Sequence, residues 1–344
     1  MKINYPRVLI MFTFVCLVLG YQILLGYQKI QNFADTSLAI KQETFFTLPA
    51  GSGRVALEKL LLQDHLIADP RLFSWLLYTE PELAKFKAGT YRFTPGMTVR
   101  GMLQLLASGK EAQFFIRFIE GTRLTDWLNQ LRSADYVKQH LPGKNDAEIA
   151  QLLGLKKNQS AEGWLYPDTY FYTAGVSDLT LLRRAHQQMA KIVAQVWQGR
   201  DGSLPYNTPN DLVIMASIVE KETAINDERS KVSSVFINRL RLGMRLQTDP
   251  TVIYGMGKNY KGKITRKDLA TASAYNTYMI NGLPPTPIAM PGLASLKAAA
   301  HPAKSEYLYF VADGKGGHRF STRLTDHNHA VRLYRQSLKD NNTE

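Results

Sequence analysis

Two glutamates stand at the end of an apolar run, in the stretch SIVEKETAI at residues 217–225. A carboxyl group held in a dry cleft resists ionisation, because burial disfavours its charged form. Its pKa then rises toward the working pH, which is the condition for a general acid. Glu220 and Glu222 are therefore the first candidates for chemistry. The competing reading is an exposed helix end, where Glu and Lys face water.

Choosing between the two requires the helix that carries them. Thr208, Pro209 and Asp211 form a start signature, with Thr208 as N-cap, Pro209 at the first helical position and Asp211 at the capping-box place. From that start, side chains advance by roughly 100° per residue. With Val219 at zero, Leu212 falls near about +20°, Met215 near about −40°, Ala216 near about +60° and Glu222 near about −60°. Glu220 falls near about +100°, at the margin, and Lys221 points away. Glu222 thus continues the apolar stripe. If one carboxylate is held in a cleft, the geometry selects Glu222. On the residues alone, the exposed helix end stays open beside it.

A dense polar stretch follows. A helix expected over 227–244 carries Val232, Val235, Phe236 and Leu240 on one side, with Asn238 close to that side. LQTDPTVIYGMG (246–257) reads as a loop and then a strand or short helix, bearing Gln247, Thr248, Asp249 and Tyr254. The Pro- and Gly-rich SAYNTYMINGLPPTPIAMPG (273–292) adds Tyr275, Asn276, Thr277 and Tyr278. A long structured loop of this kind is costly unless it shapes a groove. Amide and phenol groups pair well with sugar hydroxyls and acetamido groups. An ordinary surface loop is the other reading.

Upstream, AEGWLYPDTYFYTAG (161–175) concentrates aromatics between Trp164 and Tyr172. Such a cluster is either a core corner or a platform for the apolar face of a sugar ring. In DHNHA (326–330), His327 and His329 lack the company expected of metal ligands and read as exposed surface histidines, with His318 nearby.

Helices are also expected at 54–66, after Asp69-Pro70, from a Thr98 cap to a Gly109 stop, and near 122–133, 145–153 and 178–199. FFTLP (45–49), KAGTYRF (87–93) and QFFIRFI (113–119) read as strands. The order strand–helix–helix–strand ahead of residue 112 makes a compact module.

Residues 8–27 carry no charge and match the ~20 helical residues that span a bilayer. Lys2 and Arg7 precede them, so the positive-inside rule puts the N-terminus in the cytoplasm and the rest outside. A cleaved signal peptide is the rival, but its apolar core is usually shorter and ends at a small-residue site. Cys16, the only cysteine, lies in this segment. Disulfides, thiolate nucleophiles and cysteine metal sites are thereby excluded from the exported part. Neither G-x-S-x-G nor H-E-x-x-H occurs, and no metal or cofactor is expected. The net charge of +13 suits an acidic partner. Export argues against nucleic acid and leaves the membrane surface or the carboxylate-rich peptides of a cell wall.

The stretches ASIVEKET, SVFINRL, GMRLQTDPTVIYGMG, AYNTY, GLPPTPIAMPG, SLKAAAHPA and YLYFVADGKGGH, with EGWLYPDTYFY upstream, resemble the signatures of endolytic murein transglycosylases, the MltG/YceG-like group. They cover about residues 116–330. The resemblance implies cleavage of the MurNAc–GlcNAc β-1,4 bond of peptidoglycan glycan strands without water. One glutamate would act as acid and then as base, leaving a 1,6-anhydro sugar. That glutamate corresponds to Glu222, with Ser217, Glu220, Asn238, Gln247, Asp249, Asn276 and Tyr278 around the sugar. Peptidoglycan synthases (penicillin-binding proteins) are the implied partners, at the bacterial inner membrane with the bulk of the chain periplasmic.

The expected architecture is α+β: a cytoplasmic tail (1–7), a transmembrane helix (8–27), a linker (28–43), a βααβ LysM-like module (44–112) and a mixed α+β catalytic domain (113–344). A water-using muramidase, with Asp249 or Glu220 as base, and a non-catalytic wall-binding scaffold are the alternatives.

Overall fold

The computed structural model describes residues 5–156 and 159–340. Residues 1–4, with Lys2 and most of the expected tail, lie outside them, as do residues 341–344 of the expected catalytic domain. The chain is mixed α+β and forms two compact units, Met1–Phe114 with Tyr172–Ala174, and Phe115–Phe171 with Gly175–Glu344.

In the first unit, helix α1 (Tyr5–Asp35) begins with an exposed apolar stretch. From Val8 to Asp35 it is long and apolar enough to cross a membrane. Its last turns have a different role. Ile30 and Ala34, followed by Leu38, are buried in the unit's core, so the segment expected as a linker is partly a packed helix end. Arg100 ties this end down, pairing with Asp35 at 3.2 Å and with Glu80, and donating to Gln31 at 2.6 Å.

The core of this unit is organised by β1 (Thr44–Leu48), α2 (Arg54–Gln63), α3 (Pro70–Thr79), β2 (Gly89–Phe93) and α4 (Val99–Ser108). β1 and β2 pair antiparallel with Phe46 opposite Tyr91. Alternation turns Phe46, Leu48, Tyr91 and Phe93 inward beneath the helices. Local signals set the helix ends: Asp69 accepts from the Arg71 and Leu72 amides, Thr98 accepts from Gly101, and Gly109 closes α4 with φ of 71°.

The chain continues with β3 (Phe114–Arg117), α5 (Leu124–Arg132), α6 (Asp146–Leu153), β4 (Thr169–Tyr172), α7 (Asp178–Gly199) and α8 (Pro209–Glu222). Then come α9 (Asn226–Arg241), α10 (Asp249–Met256), α11 (Arg266–Ala270), α12 (Leu293–Ala300), the hairpin β5 (Tyr309–Ala312) and β6 (His318–Ser321), and α13 (Leu324–Asp340). β3 pairs with β4. α10 resolves the expected strand or short helix as a helix.

α8 is the axis of the second unit. It contacts α7, α9, α10 and α12, and every residue from Leu212 to Val219 is buried. The expected one-sided stripe is therefore an all-round apolar surface, because helices cover it from several directions. Its start follows the local signals: the Asp211 carboxylate accepts from the Asn207 and Thr208 amides at 2.7 and 3.0 Å, and Pro209 occupies the first turn. The aromatic stretch forms a core corner. Trp164 is buried and donates to Asn210 at 2.9 Å, while the buried Tyr170 donates to the Tyr166 carbonyl at 2.7 Å.

Candidate active site

α8 ends at Glu222, where the backbone of Thr223 turns extended. The Glu222 side chain enters a cavity of about 420 Å³ that it shares with Gln247, Asp249, Tyr278, Arg239 and His327. Part of the side chain is open to that cavity. Burial of the carboxyl group pushes its pKa up to about 7. The Thr248 hydroxyl, which donates to Oε1, works against this rise. The nearby Asp249 charge adds to it, and His318 has the smallest effect, downward. A carboxyl group with such a pKa is protonated for half the population near neutrality and can both give and take a proton.

The loop facing Glu222 is held by buried threonines. The Thr248 amide donates to Thr277 Oγ1 at 3.0 Å, and Thr251 Oγ1 donates to the Thr248 carbonyl at 2.8 Å. Immediately before it, Gln247 has φ of 52°, a left-handed conformation that is unfavourable for a residue with a Cβ. Two contacts keep it there: its amide donates to the Thr277 carbonyl at 3.1 Å, and its Oε1 accepts from Arg239 at 3.2 Å. With Oε1 engaged by Arg239, the Nε2 donors of the exposed Gln247 side chain remain for a ligand. Asp249 is exposed at the start of α10 and accepts from the Tyr278 hydroxyl at 2.6 Å. Burial, and then this carboxylate, raise the Tyr278 pKa, which keeps the phenol a donor.

The other residues named from sequence have different surroundings. Ser217 is fully buried; it donates to the Ile214 carbonyl at 2.7 Å and accepts from the Ile288 amide at 3.0 Å, pinning the long loop to α8. Asn238 donates to the carbonyls of Ser305 and Tyr307 at 2.8 and 3.0 Å. Asn276 is buried and donates to the carbonyls of Asp268, Leu269 and Thr271. Glu220 accepts from the Gly292 amide at 3.0 Å. These four do not line the Glu222 cavity; their polar atoms are taken up by nearby backbone groups. A Cβ at Gly292 would meet the Glu120 carboxylate, so a larger residue there would have to displace that side chain.

Arg239 and His327 also line the cavity, neither of them expected there from the sequence. Arg239 is buried, bonded to the carbonyls of Leu308, Arg245 and Leu246, and stacked 5.1 Å from the Tyr309 ring. Its position three residues after Phe236 and seven after Val232, on the apolar side of α9, was a usable signal. His327 corrects the expectation of an exposed surface histidine. Its ring lies against Tyr309 at 5.2 Å, and burial lowers its pKa with help from Arg239. His329 is exposed as expected, and His318 bonds Glu228 through Nδ1 at 2.7 Å. A second buried carboxyl group, Glu162, also rises to about pKa 7 through burial. It accepts from the Leu124 amide at 3.0 Å and the Tyr254 hydroxyl at 3.3 Å, away from the cavity lining. No cluster of three or more His, Cys, Asp or Glu arranged to hold a metal occurs among the described residues.

Residues 46–333 match the model of the YceG-like family. The chain is similar to the endolytic murein transglycosylase of Bacillus subtilis (strain 168), at 32% identity across 94% of this chain and 93% of that protein. It is also similar to the endolytic murein transglycosylase of Streptococcus pneumoniae D39, at 32% identity over 49% of this chain and 31% of that longer protein. Among solved structures, a YceG-like protein of Listeria monocytogenes superposes with a TM-score of 0.51 at 30% identity, covering 84% of this chain and 99% of that one. The chain belongs to the YceG-like family, together with proteins named endolytic murein transglycosylases.

Proposed function

We propose that this chain is a lytic transglycosylase that cuts glycan strands of peptidoglycan at MurNAc–GlcNAc β-1,4 bonds, with Glu222 as acid and then base. The carrying observation is the Glu222 carboxyl group at the end of a buried helix, open to a polar cavity, with a pKa raised to about 7. Thr248 occupies Oε1, which leaves Oε2 to face the scissile oxygen. Protonated Glu222 gives its proton to the leaving O4 as the C1–O4 bond breaks. The resulting carboxylate then takes the proton of the MurNAc C6 hydroxyl, and O6 closes on C1. One bond is exchanged for another, the proton moves from O6 to O4, and no water is consumed. The substrate's own hydroxyl replaces the second carboxylate that hydrolases need.

Gln247, Asp249 and Tyr278 are the polar groups we assign to the bound sugars, since they share the cavity with Glu222. Ser217, Glu220, Asn238 and Asn276 act in this reading by fixing the groove walls. The N-terminal helix is a single-pass anchor, with the N-terminus cytoplasmic and the rest periplasmic. The βααβ module, LysM-like in its order, grips the strand. Such an anchor would hold the enzyme near the membrane, where penicillin-binding proteins extrude new glycan.

A specific observation keeps a second reading in view: Asp249 is another carboxylate in the same cavity, and it would serve as base in a water-using muramidase. Digestion of purified glycan, with mass analysis of the new ends, separates the possibilities. Anhydro ends support the transglycosylase, reducing ends the muramidase, and intact strands a binding scaffold.

A further inference from the structure

A second cavity, of about 840 Å³, opens between α7, the first turns of α9, and α12. It shares no lining residue with the Glu222 cavity. Arg229, Lys297 and His301 line it, no Asp or Glu does, and Ile192, Val196 and Leu293 supply an apolar floor.

Arg229 is the telling residue. Its side chain is more than nine-tenths buried, yet the guanidinium makes one side-chain hydrogen bond, from Nη1 to Asn226 Oδ1, and its Nε has no partner among the described residues. Two fully buried hydroxyls in the same helix pair, Ser233 on α9 and Ser295 on α12, are also without partners. Buried polar atoms are rarely left in this state, and a buried cation least of all. Glu120 feels the Arg229 charge, but no hydrogen bond joins them, and burial together with Glu220 disfavours the charged form of Glu120. The positive charge is thus only partly answered from within the protein.

We propose that this cavity binds a carboxylate of the short peptides that substitute the glycan; the proposal rests on the murein reading above. A planar guanidinium fork matches a carboxylate, and the apolar floor suits small aliphatic side chains.

The test uses the full-length chain in detergent with two glycan substrates, one bearing its peptides and one stripped of them by an amidase. Wild type should cut the peptide-bearing strand roughly tenfold more efficiently, and both Arg229→Gln and Lys297→Glu should bring that ratio near one. Lys297 is exposed, so its variant is informative even if Arg229→Gln does not fold. Binding is read separately by calorimetry, with the tetrapeptide L-Ala-γ-D-Glu-diaminopimelate-D-Ala and with its amidated form. The free acid should bind and the amide should not, with Lys297→Glu weakening the acid. An unchanged cleavage ratio in both variants, equal binding of acid and amide, or displacement of the peptide by inorganic phosphate at equal concentration would overturn the proposal. If wild type cuts neither substrate, the murein reading fails, and the calorimetry still decides this one.

Discussion

The Thr248 hydroxyl donates to Oε1 of Glu222, the carboxyl side chain that lines the cavity. This bond both orients the acid and favours its charged form. Thr248→Val keeps the shape and removes the donor. The Glu222 pKa should then rise, moving the alkaline limb of the pH–rate profile to higher pH while the plateau falls about tenfold through lost orientation. A profile that does not move would show that Thr248 does not tune the acid.

Glu222→Gln keeps the side-chain volume and deletes the proton. Cleavage should drop by about 10²–10⁴-fold, the range for loss of a general acid. Glu220→Gln should keep most of the rate, because the amide oxygen can still accept from Gly292. Initial rates on purified glycan check both. Equal losses in the two variants would mean that helix phase chose the wrong carboxylate.

The pKa of Glu222 makes a paired prediction for rate and stability. Its folded value, about 7, exceeds the ordinary 4.5. Between those values the folded state holds a proton that the unfolded chain has released. Stability therefore falls as pH rises through this window, and the penalty is complete above about pH 7. Above that pH, Glu222→Gln should be more stable than wild type, by on the order of 1–3 kcal/mol, and the difference should vanish near pH 4. Wild-type kcat/KM should fall about tenfold per pH unit above 7 as the acid form disappears. Urea melts and rates across pH 4–9 read both.

Asn238 and Gln247 should separate wall from ligand contact. Asn238→Ala strands the carbonyls of Ser305 and Tyr307 and should cost about 1–3 kcal/mol of stability with a small change in KM. Gln247→Ala should do the reverse, raising KM roughly tenfold; it also removes one bond from Arg239, but Arg239 keeps its three carbonyl acceptors, so the loss of stability should be smaller than for Asn238→Ala. Thermal melts set beside steady-state kinetics distinguish the two patterns.

Much of the helix that carries Glu222 was legible because its signals are local. Thr208, Pro209 and Asp211 gave the start of α8, and a constant angular step then carried Glu222 to the cavity side. Nothing local announced that α8 is covered all round, since that depends on four helices brought in by the fold. The same limit applies to Ser217, Asn238 and Asn276. Their residue types suit sugars, yet their atoms turn to backbone carbonyls and amides that only the folded chain brings near. His327 reads as polar surface in sequence and reaches the cavity only because α13 packs on the β5–β6 hairpin. Arg239 was the readable omission, a cation on the apolar side of α9.

The central claim is that Glu222 moves one proton from O6 to O4 without water. Digestion of glycan in heavy-oxygen water, by wild type and by Glu222→Gln in parallel, tests it most directly. The account predicts 1,6-anhydro ends with no heavy oxygen from wild type, and no new ends from the variant. Reducing ends carrying heavy oxygen, or undiminished cleavage by Glu222→Gln, would contradict it.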